Sequence, residues 1–211
     1  MLLDTNKIRP RDIYRHLINL ITPRPIAWVS TLSKSGVANL APYSFFSGVG
    51  SRPPSLLFCP ANKRDGSRKD TLVNIEDTGE FVVNIVSAPL AQQMHDSSAD
   101  YDFETSEFET CGLTAVDSEH VKAPRVGEAS ASIECELMQS LHLGTGPGAS
   151  NVVIGRIVLI RIDDEVVGPD GFADASKLDT LGRMGTPGYV RTHDCFDLGA
   201  REIRKADGDK S

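Results

Sequence analysis

No stretch of the 211 residues approaches the run of about eighteen apolar residues that a membrane helix needs, so the chain reads as soluble. Segment 1–11 carries Asp4, Lys7, Arg9 and Arg11 and lacks the apolar centre of a secretory signal, which points to the cytoplasm. Basic residues are not in excess: a net charge of −7 and a pI near 5.2 argue against a nucleic-acid partner, because phosphate neutralisation needs concentrated Lys and Arg. Cys59, Cys111, Cys135 and Cys195 form no Cys-x-x-Cys pair, so neither a zinc site nor a redox dithiol is expected, and buried free thiols are the default. The five histidines show no metal-ligand spacing. There is no Gly-x-Ser-x-Gly elbow, and His193-Asp194-Cys195 cannot converge in a strand, where neighbours point to opposite faces. Hydrolase chemistry therefore has no candidate machinery.

What is present is a series of short apolar runs rich in β-branched residues, at 26–32, 55–59, 81–86, 131–138 and 152–162, which read as strands. Ala131, Ile133, Cys135 and Leu137 alternate with Ser132, Glu134 and Glu136, predicting one core face and one wet face. Helical signals are fewer. Segment 12–21 puts Ile13, Leu17, Leu20 and Ile21 on one side, 69–77 ends at Thr78-Gly79, and 89–95 is a third candidate. Many strands, little helix and frequent Gly and Pro predict a mainly β (α+β) fold, a closed or partly closed antiparallel barrel with a few flanking helices. A single domain spanning 1–211 is expected, with its core at about 12–165 and a peripheral extension at 166–211. Its last residues, 201–211, are charged and read as frayed.

Two constellations carry chemistry. The first is Arg24-Pro25-Ile26-Ala27-Trp28-Val29-Ser30-Thr31, then Gly36, then Asn39-Leu40-Ala41-Pro42-Tyr43-Ser44-Phe45-Phe46. The second, beyond Pro53-Pro54, is Arg68-Lys69-Asp70-Thr71-Leu72, then Asn74, then Gly79-Glu80-Phe81-Val82-Val83-Asn84. It places a cation and a hydroxyl at the opening turn of a helix, where unpaired N–H groups and the positive dipole end favour a phosphate. The same residues also read as an ordinary helix start with Asp70 as the cap and Lys69 in solvent. Ser44 equally reads as a loop residue beside two core aromatics. Gly144-Thr145-Gly146-Pro147-Gly148-Ala149 superficially matches a dinucleotide fingerprint, but it precedes a strand rather than opening a helix and reads as a hairpin connection. His142, just before that loop, reads either as a proton donor at a site mouth or as an exposed loop histidine.

Together the two constellations resemble the flavin reductase-like family, over about 24–162, with a weaker echo at Leu181-Gly182-Arg183-Met184-Gly185 and Tyr189. The resemblance implies an FMN-binding split barrel with Greek-key topology and non-covalent flavin mononucleotide. It implies that Ser30, Thr31, Asn39, Leu40, Ala41, Ser44 and Phe45 line the flavin and that Arg68, Lys69 and Thr71 reach its phosphate. Arg183 and Tyr189 lie in a segment that often closes over flavin in this family. The expected activity is an oxidoreductase passing electrons from NAD(P)H through FMN to free flavin, another small acceptor or a redox partner protein. A flavoredoxin-like electron carrier, a non-enzymatic FMN-binding protein and a relative of pyridoxamine-phosphate oxidase are the alternatives. A homodimer with FMN near the subunit boundary is also implied.

Overall fold

The computed structural model describes residues 1–196, 198 and 199. Segment 201–211, read above as a frayed end, lies outside them. In chain order the elements are α1 (Pro10–Leu20), β1 (Arg24–Pro25), β2 (Ala27–Leu32), β3 (Ala38–Tyr43), β4 (Phe46–Ser51), β5 (Pro54–Phe58), α2 (Asp70–Thr78), β6 (Glu80–Ile85), α3 (Ala91–Asp96), α4 (Glu107–Thr110), β7 (Ala115–Val116), β8 (Arg125–Val126), β9 (Ala131–His142), β10 (Asn151–Ile162), α5 (Ala175–Leu178), β11 (Leu181–Arg183) and β12 (Tyr189–Arg191).

Seven strands make one antiparallel sheet in the order β3-β2-β6-β9-β10-β5-β4. Strands β3 and β4 occupy opposite edges, yet only Ser44 and Phe45 separate them in the chain. A flat sheet cannot satisfy both facts, so the sheet curls until its edges approach at this corner, giving the split barrel. The N–H of Cys59 donates to the carbonyl of Phe45 at 2.9 Å and ties the corner to the end of β5.

Strand β2 reads as a continuous apolar run because both of its faces are covered. Ala27 and Val29 face a core containing Phe58, Phe81, Val83, Cys135 and Val153, into which α2 inserts Leu72 and Ile75. Trp28, with Ile26 just before the strand, faces a second core built with Leu40, Leu90, Met94 and Phe108, under α3 and α4. Each fully buried aliphatic side chain contributes about 1.5–3 kcal/mol, so Leu72 and Ile75 suffice to fix α2 against the barrel. On β10, Gly155 lies under the ring of Phe81 from β6, where a Cβ would lie 2.4 Å from its Cζ. Only glycine fits there.

Three expectations need correction. The outer face of β9 is not wet near its start: Ser132 and Glu134 are buried, and the Glu134 carboxylate accepts from the backbone N–H groups of Glu119, His120 and Val121 at 2.9, 2.7 and 3.3 Å. A loop covers that face because one carboxyl group can satisfy several backbone donors at once. In α1 only Ile18 is buried, while Leu17, Leu20 and Ile21 remain exposed, so the helix rests on an edge of its apolar stripe. Cys195 is exposed and Cys59 and Cys111 are only partly covered, leaving Cys135 as the buried thiol.

The predicted stop of α2 is realised by Gly79, whose φ of 76° closes the helix in the left-handed region, with its N–H donating to Ile75 at 2.8 Å. A Cβ at Gly79 would meet nothing within 4 Å, so any penalty for a side chain is purely conformational. Gly79→Ala should therefore lower stability by about 1 kcal/mol, read as an earlier urea midpoint with unchanged slope.

Candidate functional site

Lys69 takes the N-cap position of α2 with extended backbone and no capping side chain, so Asp70 is the first helical residue rather than the cap. The opening turn faces a cleft of about 60 Å³ lined by Asn39, Ala41, Tyr43, Lys63, Lys69, Thr71 and the segment after α3. The two constellations thus meet: Asn39 and Ala41 come from β3, Lys69 and Thr71 from the start of α2. The opposite wall, Ser97 to Tyr101, is held by Trp28, whose fully buried indole N–H donates to Ser97 Oγ at 2.9 Å while that hydroxyl donates to the carbonyl of Met94.

A buried polar chain fixes the floor. The Glu107 carboxylate accepts from the N–H of Leu40 at 2.8 Å and, through both oxygens, from Nδ2 of Asn39 at 2.9 Å. That contact orients the Asn39 amide so that its Oδ1 faces Thr71 Oγ1 at 2.8 Å and Thr31 Oγ1 at 3.3 Å, and Thr31 in turn accepts from Asn74 at 3.0 Å. Burial pushes the Glu107 carboxyl above its ordinary pKa, partly offset by these donors. With its hydrogen directed to Asn39, the Thr71 side chain has only acceptor capacity left. This differs from the expected side-chain donation to a phosphate, and it follows from the Glu107 contact, which the sequence does not reveal.

Tyr43, 9% exposed, lines the same cleft. Its hydroxyl, beside Thr71, makes no hydrogen bond of normal geometry, and burial pushes its pKa well above the usual tyrosine value. Thr71 Oγ1, which keeps its acceptor capacity, is the group that opposes this rise. The cations at the rim are engaged: Lys63 Nζ lies 2.6 Å from Asp70 and Lys69 Nζ lies 2.6 Å from Asp100, whose carboxyl Lys69 holds below the usual carboxylate range. Arg68 turns away to pair with Glu76.

The remaining expected residues lie elsewhere. Ser30 is fully buried, donating to the carbonyl of Pro124 at 2.5 Å and accepting from Asn84 at 3.1 Å, so its hydroxyl serves the barrel wall. Leu40 packs in the second core. Ser44 accepts from Nε of Arg24 at 3.2 Å, and Phe45 lies beneath the same guanidinium. His142 ends β9 with Nδ1 2.7 Å from Asn151 Oδ1 and Nε2 3.0 Å from Glu76, outside the cleft lining. Arg183 stacks on Tyr189 within the small β1-β11-β12 sheet, also outside it. Tyr43, Lys63, Asp100 and Glu107 were not among the expected site residues. The cation-rich run Lys63-Arg64-Asp65-Gly66-Ser67-Arg68-Lys69 was the available signal for Lys63, whereas Glu107 and Asp100 carried none.

The chain matches the flavin reductase like domain over residues 20–178. It is 38% identical over 179 residues to a protein of Aquifex aeolicus, covering 85% of this chain and 89% of that one. Among solved structures it is similar to nitrilotriacetate monooxygenase component B from Bacillus cereus, with a TM-score of 0.89 and 32% identity over 94% of this chain and 98% of the other. It is also similar to 2-nitrobenzoate 2-nitroreductase from Pseudomonas fluorescens, with a TM-score of 0.87 and 28% identity over 99% and 100% of the two chains. A curled seven-stranded sheet, the order of the two constellations and these likenesses agree: the chain belongs to the flavin reductase-like family.

Proposed function

We propose that the protein is an oxidoreductase that holds flavin mononucleotide with its phosphate in the cleft between the opening turn of α2 and the 97–101 segment. The observation that carries this reading is the uncapped start of α2 opening on the cleft, with Tyr43 in its lining and two lysines at the rim. A phosphate accepts from a phenol, from first-turn backbone N–H groups and from ammonium groups, and these are the donors present. Thr71 contributes its backbone position at the helix start, and its hydroxyl keeps the Asn39 amide in register. When bound, the flavin supplies the redox chemistry, taking a hydride from NAD(P)H and delivering electrons to a small acceptor.

A volume of about 60 Å³ suits a phosphate group and falls far below the roughly 300–1,000 Å³ of a pocket that engulfs a whole ligand. The flavin ring therefore extends beyond the cleft. Val49 on β4, Met138 and Leu141 on β9 and Ile160 on β10 leave apolar side chains exposed, and these support a homodimer in which a second copy completes the ring's surroundings. Among the described residues no helix is long and apolar enough to cross a membrane.

The test is anaerobic mixing of the flavin-loaded protein with NADH and, separately, NADPH. Bleaching of the flavin band at about 450 nm with either nucleotide is the expected result. No bleaching with either overturns the nicotinamide-linked activity, and a chain that binds no flavin overturns the whole reading. Rapid bleaching with slow turnover on free flavin would identify an electron carrier instead.

A further inference from the structure

A second polar constellation sits away from the cleft, where β1 pairs with β11 and β11 with β12. The register places Arg24 opposite Arg183 and Arg183 opposite Tyr189. Residues directly opposite on antiparallel strands share a face, so these three side chains form one row, running from buried Arg24 through half-buried Arg183 to exposed Tyr189. Like charges directly opposite one another destabilise a sheet. Here two guanidinium groups take those positions, and among the described residues neither is paired with a carboxylate.

Arg24 is 3% exposed. Its Nε donates to Ser44 Oγ at 3.2 Å and its Nη1 to the carbonyls of Ile18 and Ile21 at 2.5 and 3.0 Å. Those contacts use three of its five hydrogens. Nη2 has no protein acceptor and is not sealed from the surface. Burial lowers the pKa of Arg24 and the charge of Arg183 adds to the effect, while Tyr14 opposes it. Planar surfaces flank the row: the Arg24 guanidinium lies 5.8 Å from the Phe45 ring centre and that of Arg183 lies 4.3 Å from the Tyr189 ring centre. A buried, uncompensated guanidinium carries a desolvation cost that an arriving anion would offset. Local rules of sheet pairing are broken in this way chiefly at functional sites.

We infer that Arg24 and Arg183, flanked by Phe45 and Tyr189, form an anion-binding subsite for a small planar molecule bearing a phosphate or a carboxylate, separate from the cleft at the start of α2. Nη2 of Arg24 and the guanidinium of Arg183, whose Nη1 also donates to the carbonyl of Pro187 at 3.4 Å, supply the N–H donors for a multi-oxygen anion. A nucleotide and an aromatic acid share this chemistry, and the probes distinguish them.

Calorimetric titration of the full-length protein with inorganic pyrophosphate and, separately, with benzoate tests the subsite. At least one probe should bind, and the tighter of the two names the source. Arg183→Ala should weaken that binding by about tenfold or more, with Arg183→Lys intermediate, while affinity for flavin mononucleotide stays within about twofold of the parent. Arg24 also holds the end of α1, so Arg183 carries the test, and Arg24→Lys, which keeps the charge but loses Nη2, serves as the second variant. The inference is overturned if neither probe binds below about 10 mM, if Arg183→Ala leaves probe binding unchanged, or if flavin affinity falls in parallel with it. A protein that binds a probe but no flavin would retain this subsite while the flavin reading fails.

Discussion

Lys69→Ala is expected to weaken flavin mononucleotide binding by about 1–3 kcal/mol, a factor of roughly 5–150, while leaving affinity for riboflavin, which lacks the phosphate, unchanged. Lys69 stands at the N-cap of α2, where its ammonium adds to the positive end of the helix dipole. It is not idle without ligand, because Asp100 holds it at 2.6 Å. That partner is 61% exposed, and exposed pairs contribute about 0–1 kcal/mol, so a dianionic phosphate can displace the carboxylate at little cost. Since Lys69 holds the Asp100 carboxyl below the usual range, the competitor is ionised throughout neutral pH. Asp100→Asn should consequently shift affinity in the opposite direction, tightening flavin mononucleotide by a few-fold. Quenching of flavin fluorescence measures all of these affinities. Equal losses for the mononucleotide and riboflavin in Lys69→Ala would place the phosphate elsewhere.

Removing the Glu107 carboxylate should have a larger effect on folding. Glu107→Ala leaves the Leu40 N–H and the Asn39 amide without acceptors inside the protein, at about 1–3 kcal/mol for each buried donor, and frees Asn39 to abandon Thr71 and Thr31. We expect a loss of about 3–5 kcal/mol in urea unfolding. A loss below about 1 kcal/mol would show that the chain from Glu107 to Asn74 does not organise the cleft. The same group gives a pH dependence of defined sign. Burial raises its folded pKa above the ordinary value of 4.5, so the fold prefers the protonated acid. The stability it contributes is present below the unfolded value and lost as pH rises through the folded one. Glu107→Gln should abolish that loss, giving a flatter stability profile above pH 4.5 than the parent. A parallel profile would assign the slope to other groups.

The shared lesson of the two variants lies in Thr71. Its position beside Lys69 at a helix start was legible in the sequence, as were the Gly79 stop, the five main strand cores and the hairpin reading of the loop after His142. Each rests on local chemistry: β-branched runs favour strands, and glycine tolerates a positive φ. Strands β3 and β4 were less visible. Asn39 and Pro42 interrupt the first, and glycines at 48 and 50 dilute the second, so neither shows a clean alternation.

Which donor faces the cleft was decided only by tertiary contact. The Thr71 hydrogen points to Asn39 because Glu107, from a four-residue helix far along the chain, fixes the Asn39 amide. Ser30 turns into the wall because Pro124 and Asn84 reach it first. Arg183 meets Arg24 only through the pairing of β11 with β1. The residues themselves determine which backbone segments extend, coil or turn, because those preferences act over a few neighbours. Hydrogen-bond direction and charge compensation depend on which distant groups arrive at each donor, and the fold alone brings those groups together.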